Sequence, residues 1–169
     1  MQPDQPHARN LRQGRYSQAG QIYLLTLVTA GRERVFQDFS AARKAVRAFG
    51  EQAVRDYGTT LAFVVMPDHV HWLLELGSEG GVSAAVRVYR AKVSLALGRR
   101  IWQKGFYDRA LRREEDLVAI ARYVVGNPVR AGIVDRVGDY PHWDAVWIQK
   151  DDRPMNRAPT WPATGFGRR

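Results

Sequence analysis

The chain has 169 residues, enough for one domain with a sizeable core, and no cysteine, which excludes disulfides and cysteine-based zinc sites. Lysine and arginine number 26 against 17 aspartates and glutamates, a net charge of +9, and such an excess points to a polyanionic partner, most commonly nucleic acid. The first twenty residues hold no apolar region of the secretory kind, and no apolar run approaches the roughly 20 residues needed to span a bilayer, so a soluble, cytoplasmic protein is expected.

Residues 1–20 are polar and read as a flexible basic arm. Residues 22–29 (IYLLTLVT) predict a strand, apolar on both faces and so central in a sheet. Ser40 is the expected N-cap of a helix reaching Tyr57, with Gly58 as its stop. Ala42, Val46, Phe49, Ala53 and Tyr57 give that helix an apolar stripe of the right period. Residues 61–66 and 70–76 are apolar, β-branched runs around Pro67-Asp68, the pattern of two strands joined by a tight turn. The loop GSEGG leads into a second helix over 82–97, striped by Val82, Val86, Tyr89, Val93 and Leu97 and closed by Gly98. Residues 105–111 (GFYDRAL) predict a short fourth strand. A third helix begins near Glu114, where acidic residues suit the positive end of the helix dipole, and stops by Asn127 because Pro128 follows. Beyond Gly132 the sequence predicts a turn, a short strand or helix and aromatic packing, and residues 149–169 a poorly ordered tail.

This order is the ferredoxin-like or RNA-recognition-like α+β arrangement: a four-stranded antiparallel sheet, two packing helices and a further C-terminal helix. The folded domain spans residues 21–148. Fold alone does not decide function.

Chemistry enters at His69 and His71. On a strand they share one face with Leu73 and Glu75, while Val70, Trp72, Leu74 and Leu76 face a core. Two imidazoles so placed can converge on one divalent ion. An H-x-H pair arises easily by chance, but an unused imidazole is poorly placed in the most hydrophobic part of the chain. The ion would still need another protein ligand.

Tyr123 and Asn127 lie four residues apart, hence on one face of the third helix. Residues 87–113 hold nine basic side chains against one acidic, among them Arg87, Arg90, Arg99, Arg100, Lys104, Arg109 and Arg112. Arg87 and Arg90 would form a positive ridge on the second helix, suited to phosphates. Tyr89, Trp102, Phe106 and Tyr107 are candidates for stacking single-stranded bases, although for Trp102 and Phe106 core packing is the preferred reading.

MPDHVHWLLEL resembles the HUH motif of single-tyrosine transposases, and the stretch from WQKGFYDRAL to ARYVVGNPVRAGIV resembles the REP-associated tyrosine transposases in particular. The resemblance covers residues 20–148. It implies that His69, His71 and Asn127 bind a catalytic divalent ion, Mg²⁺ or Mn²⁺. Two imidazoles favour softer ions over Mg²⁺. The resemblance further implies that Tyr123 attacks a DNA phosphodiester, leaving a 5′-phosphotyrosine and a free 3′-OH. The implied partner is single-stranded DNA with palindromic hairpins, acted on by a nucleoid-associated monomer rather than a dimer. The alternative is a non-catalytic single-stranded nucleic-acid-binding protein with a vestigial metal site. A metal-dependent barrel hydrolase fails on length, since such barrels need about 250 residues.

Overall fold

The computed structural model describes residues 17–112 and 115–147. Most of the N-terminal arm, the C-terminal tail and the third helix's expected start at Glu114 lie outside these residues, as does Arg113.

Five strands form one antiparallel sheet in the order β4-β1-β3-β2-β5. They are β1 (Ile22–Val28), β2 (Gly58–Met66), β3 (His69–Leu76), β4 (Tyr107–Ala110) and β5 (Trp143–Ala145). β1 and β3 are central, as their apolar sequences require. The sequence leads to four strands; the fifth, β5, adds to the outer edge of β2 by pairing Ala62, Phe63 and Val64 with Ala145, Asp144 and Trp143. Three residues are too few to carry an alternating pattern, so of the short strand or helix expected beyond Gly132 it is tertiary pairing that selects the strand.

The first helix also departs from expectation. It divides into α1 (Phe39–Ala48) and α2 (Gln52–Arg55), interrupted at Gly50 and Glu51. Asp38, rather than Ser40, caps α1 by accepting from the Ala41 amide at 2.7 Å. Gly58 opens β2 instead of closing the helix. A Cβ there would lie 2.2 Å from the Glu75 carbonyl oxygen, so the neighbouring strand requires glycine.

Alternation along the strands divides the interior into two cores. On one face, Val70, Trp72 and Leu74 pack with α1 and with α3 (Val82–Leu97) through Ala42, Ala45, Phe49, Val86 and Tyr89. Phe49 stacks on both Phe63 and Tyr89, with centroids 4.2 and 4.4 Å away. On the other face, Leu24, Val64, Met66 and Leu73 pack against Ile120, Ala121, Val124 and Val125 of α4 (Leu117–Val125). Asp116 caps α4 by accepting from the Ala119 amide. Gly126 ends α4, and Pro128 sits in the first turn of the short α5 (Asn127–Arg130), where its missing N–H costs nothing. Among the described residues no helix is long and apolar enough to cross a membrane.

Candidate active site

The strand register places His69 and His71 on the face covered by α4. Leu73 shares their side of β3, and their cross-strand neighbours Met66 and Val64 on β2 belong to the core that includes Ile120, Ala121 and Val124. The third helix is therefore docked on the histidine side of the sheet. The imidazoles are adjacent, with centroids 4.8 Å apart and rings nearly perpendicular.

Each imidazole has its Nδ1 engaged. His69 Nδ1 donates to Asp68 Oδ1 at 2.6 Å, and His71 Nδ1 lies 2.9 Å from Thr26 Oγ1. Burial tends to raise the Asp68 pKa, but the His69 hydrogen bond and then Arg32 outweigh it and hold the carboxyl below its usual value. Burial, reinforced by the charges of His69, Arg130 and Arg32, depresses His71 to about 3, so it is neutral at ordinary pH. Neutral imidazole is the form that ligates metal. His69, with Nδ1–H donated to the Asp68 carboxylate, presents the lone pair of Nε2, and His71 does so in the tautomer that donates Nδ1–H to Thr26.

Asn127 donates its side-chain N–H to the Val124 carbonyl at 2.9 Å, which leaves Oδ1 as an available oxygen donor. Among the described residues no cluster of three or more His, Cys, Asp or Glu exists. Imidazole nitrogen and amide oxygen are both donor types that a divalent ion accepts, and the two imidazoles already lie side by side.

Tyr123 occupies the flank of α4, beside the inward-facing Val124. The Arg130 guanidinium carbon lies 3.8 Å from the Tyr123 ring centroid, and Arg130 donates to the Tyr123 carbonyl oxygen. Burial of the guanidinium lowers its pKa, while the charge and hydrogen bond of the Tyr123 side chain act in the opposite sense. The same Arg130 charge is felt at His71.

Thr26, Asp68 and Arg130 were not candidates from sequence. Asp68 stands beside His69 in the sequence, where the Pro-Asp pair signals a turn and not a partner for the imidazole. Thr26 is paired with His71 across 45 residues by register alone.

The basic residues take different positions. Arg87, on α3, is exposed but on the far side of the sheet. Arg90 is turned inward: it donates to the Gly105 carbonyl and lies over the Trp102 and Phe106 rings at 5.5 and 6.0 Å. It is a brace for the 101–106 segment instead of the second step of an outward ridge. Arg99 forms a two-pronged ion pair with Glu33, and Arg109 pairs with Glu115 at 2.6 Å. Arg100, Lys104 and Arg112 are exposed. Tyr107 is 56% exposed and, through its register with Thr26, stands on the histidine face of edge strand β4. Tyr89 is fully buried, packing in the opposite core.

Residues 17–127 match the family described as "Transposase IS200 like". That span contains His69, His71, Tyr123 and Asn127. The chain is 27% identical over 146 residues to "Putative REP-associated tyrosine transposase" of Haemophilus influenzae, covering 73% of this chain and 78% of that protein. Over 83 residues it is 35% identical to "REP-associated tyrosine transposase" of Escherichia coli K12, covering 47% of this chain and 50% of the relative. Among solved structures, a REP-associated tyrosine transposase bound to a REP hairpin is similar with a TM-score of 0.62 and 27% identity, over 76% of this chain and 79% of that one. With about two-thirds of its length within the family match, this chain belongs to the IS200-like transposases.

Proposed function

We propose that the chain is a metal-dependent single-stranded DNA endonuclease and strand transferase, using Tyr123 as nucleophile on palindromic hairpin elements. The observation that carries the proposal is the docking of α4, the helix that bears Tyr123, on the histidine face of the sheet. The solved relative bound to a REP hairpin supports the substrate class.

In the cleavage step, Tyr123 Oη attacks the scissile phosphorus. A P–Oη bond forms as the bond to the 3′-oxygen breaks. The phenol gives up one proton and the departing 3′-oxygen gains one, leaving a 5′-phosphotyrosine and a 3′-OH. Attack by a 3′-OH on the phosphotyrosine reverses the step and completes transfer. His69 and His71, with Asn127 Oδ1, would hold Mg²⁺ or Mn²⁺. When bound, such an ion neutralises charge building on the phosphate oxygens. Arg100, Lys104 and Arg112 supply sequence-independent attraction for the strand. The non-catalytic reading loses ground because the histidines and the tyrosine helix occupy the same side of the sheet.

The test is incubation of the full chain with a single-stranded hairpin oligonucleotide and Mn²⁺, followed by denaturing electrophoresis. A covalent protein–DNA species is expected from the wild type and none from Tyr123→Phe, which loses only a hydroxyl and should still bind DNA. A full adduct yield from Tyr123→Phe would refute the assignment.

A further inference from the structure

Arg130 ends α5, which follows α4 after the single residue Gly126, so it lies seven positions beyond Tyr123. The backbone stays helical through Gly126, so residues seven apart are displaced by about 10 Å along the axis and the long arginine side chain must fold back to span that gap. Here the guanidinium carbon comes within 3.8 Å of the Tyr123 ring centroid. The same side chain donates to the Tyr123 carbonyl, so it grips both backbone and ring of one residue. A surface arginine serving only solubility would make none of these contacts.

We infer that Arg130 is the positioning residue of the tyrosine: its guanidinium holds the Tyr123 ring from one face and fixes the approach of Oη to a phosphate bound beside His71. The inference rests on the reading of Tyr123 as nucleophile. Its physical basis is the planar guanidinium, which stacks on an aromatic ring and donates in a rigid fork. An aryl side chain on a helix flank otherwise turns about χ1 and χ2. A misplacement of about 1 Å in a reacting group can cost about 100-fold in rate. Lysine would keep the charge while losing the stacked plane and the fork.

The experiment compares wild type, Arg130→Met, Arg130→Lys and, as a control, Arg122→Ala on the exposed side of α4. Arg130→Met retains the apolar stem and guards against a simple packing loss. Adduct formation is followed as a single-turnover rate at saturating hairpin oligonucleotide, and the Kd for the oligonucleotide is measured separately. Arg130→Met is expected to slow the rate by about 100-fold, with Kd changed by less than about threefold. Arg130→Lys should recover about tenfold of that loss, since it restores charge but not the fork. Arg122→Ala should match wild type.

A second readout needs no activity. In protein labelled with ¹³C-tyrosine, the Tyr123 ring resonances, assigned by their loss in Tyr123→Phe, should shift in Arg130→Met while those of Tyr89 and Tyr140 stay in place. Unmoved Tyr123 resonances would overturn the contact itself. A normal wild-type adduct with an unchanged rate in Arg130→Met would overturn the positioning role and leave the nucleophile intact. Absence of any wild-type adduct on Tyr123 would overturn the reading of the nucleophile, and the positioning role with it.

Discussion

At the scale of single residues, the site depends on groups that orient the imidazoles as much as on the imidazoles themselves. Thr26 Oγ1, 2.9 Å from His71 Nδ1, is the partner that fixes the ring orientation and leaves Nε2 facing away from it. Loss of such a supporting hydrogen bond typically weakens metal affinity by 10–100-fold. Thr26→Val preserves shape on β1, so Mn²⁺ titration should show a drop of about 10-fold or more with the fold intact by circular dichroism. An unchanged affinity would show that Thr26 does not orient His71. His69→Ala and His71→Ala should each weaken binding further than Thr26→Val does. The histidines were legible from their spacing alone, because period-two alternation puts them on one face of any strand. Thr26 was not, since its pairing with His71 is a matter of register between segments 45 residues apart.

At the scale of elements, the long periodic runs gave β1, β2, β3 and α3 with small boundary shifts. The helix over 40–57 reads as continuous because its apolar stripe keeps its phase across Gly50, yet the chain breaks there into α1 and α2. Arg90 shows why a helical wheel misjudges a charged side chain. Its position on α3 is compatible with a solvent-facing ridge, but the 101–106 segment folds over it and takes the guanidinium as a donor. Removing one partner of such a contact leaves the Gly105 carbonyl short of a bond and strips the stem from Trp102. Arg90→Ala should therefore lower unfolding stability by about 1–3 kcal/mol. Arg87→Ala, at an exposed position, should stay within about 0.5 kcal/mol. Denaturant midpoints of the two variants test this directly, and equal midpoints would contradict the inward role of Arg90.

At the scale of the whole molecule, β5 and the turn before it seal the β2 edge and bury His142. The Val65 amide donates to the His142 carbonyl, and the Tyr140 hydroxyl donates to the Val65 carbonyl at 2.6 Å. His142 Nδ1 has no hydrogen-bond partner among the described residues, and burial, followed by the charge of Arg43, lowers its pKa below the ordinary 6.5. The unfolded chain binds a proton there as pH falls through about 6.5 and the folded chain resists it. Stability is thus fully present above that pH and declines below it. His71, depressed to about 3, acts in the same direction. Thermal unfolding between pH 7.5 and 5 should show the decline, and His142→Leu should flatten but not remove it; an identical slope would contradict the assignment. The family and the α+β architecture were readable from the histidine strand and the tyrosine helix together. The side of the sheet on which α4 docks follows only from the resemblance that joins Asn127 to the histidines, because an amphipathic stripe says which face is buried and not against what. That docking is the central claim, and Tyr107, exposed on the same face, is the rival nucleophile. The most direct measurement is mass-spectrometric mapping of the residue linked to DNA after reaction with a hairpin oligonucleotide. Linkage to Tyr123 is the expected result, and linkage to Tyr107, or to no tyrosine at all, would contradict the account.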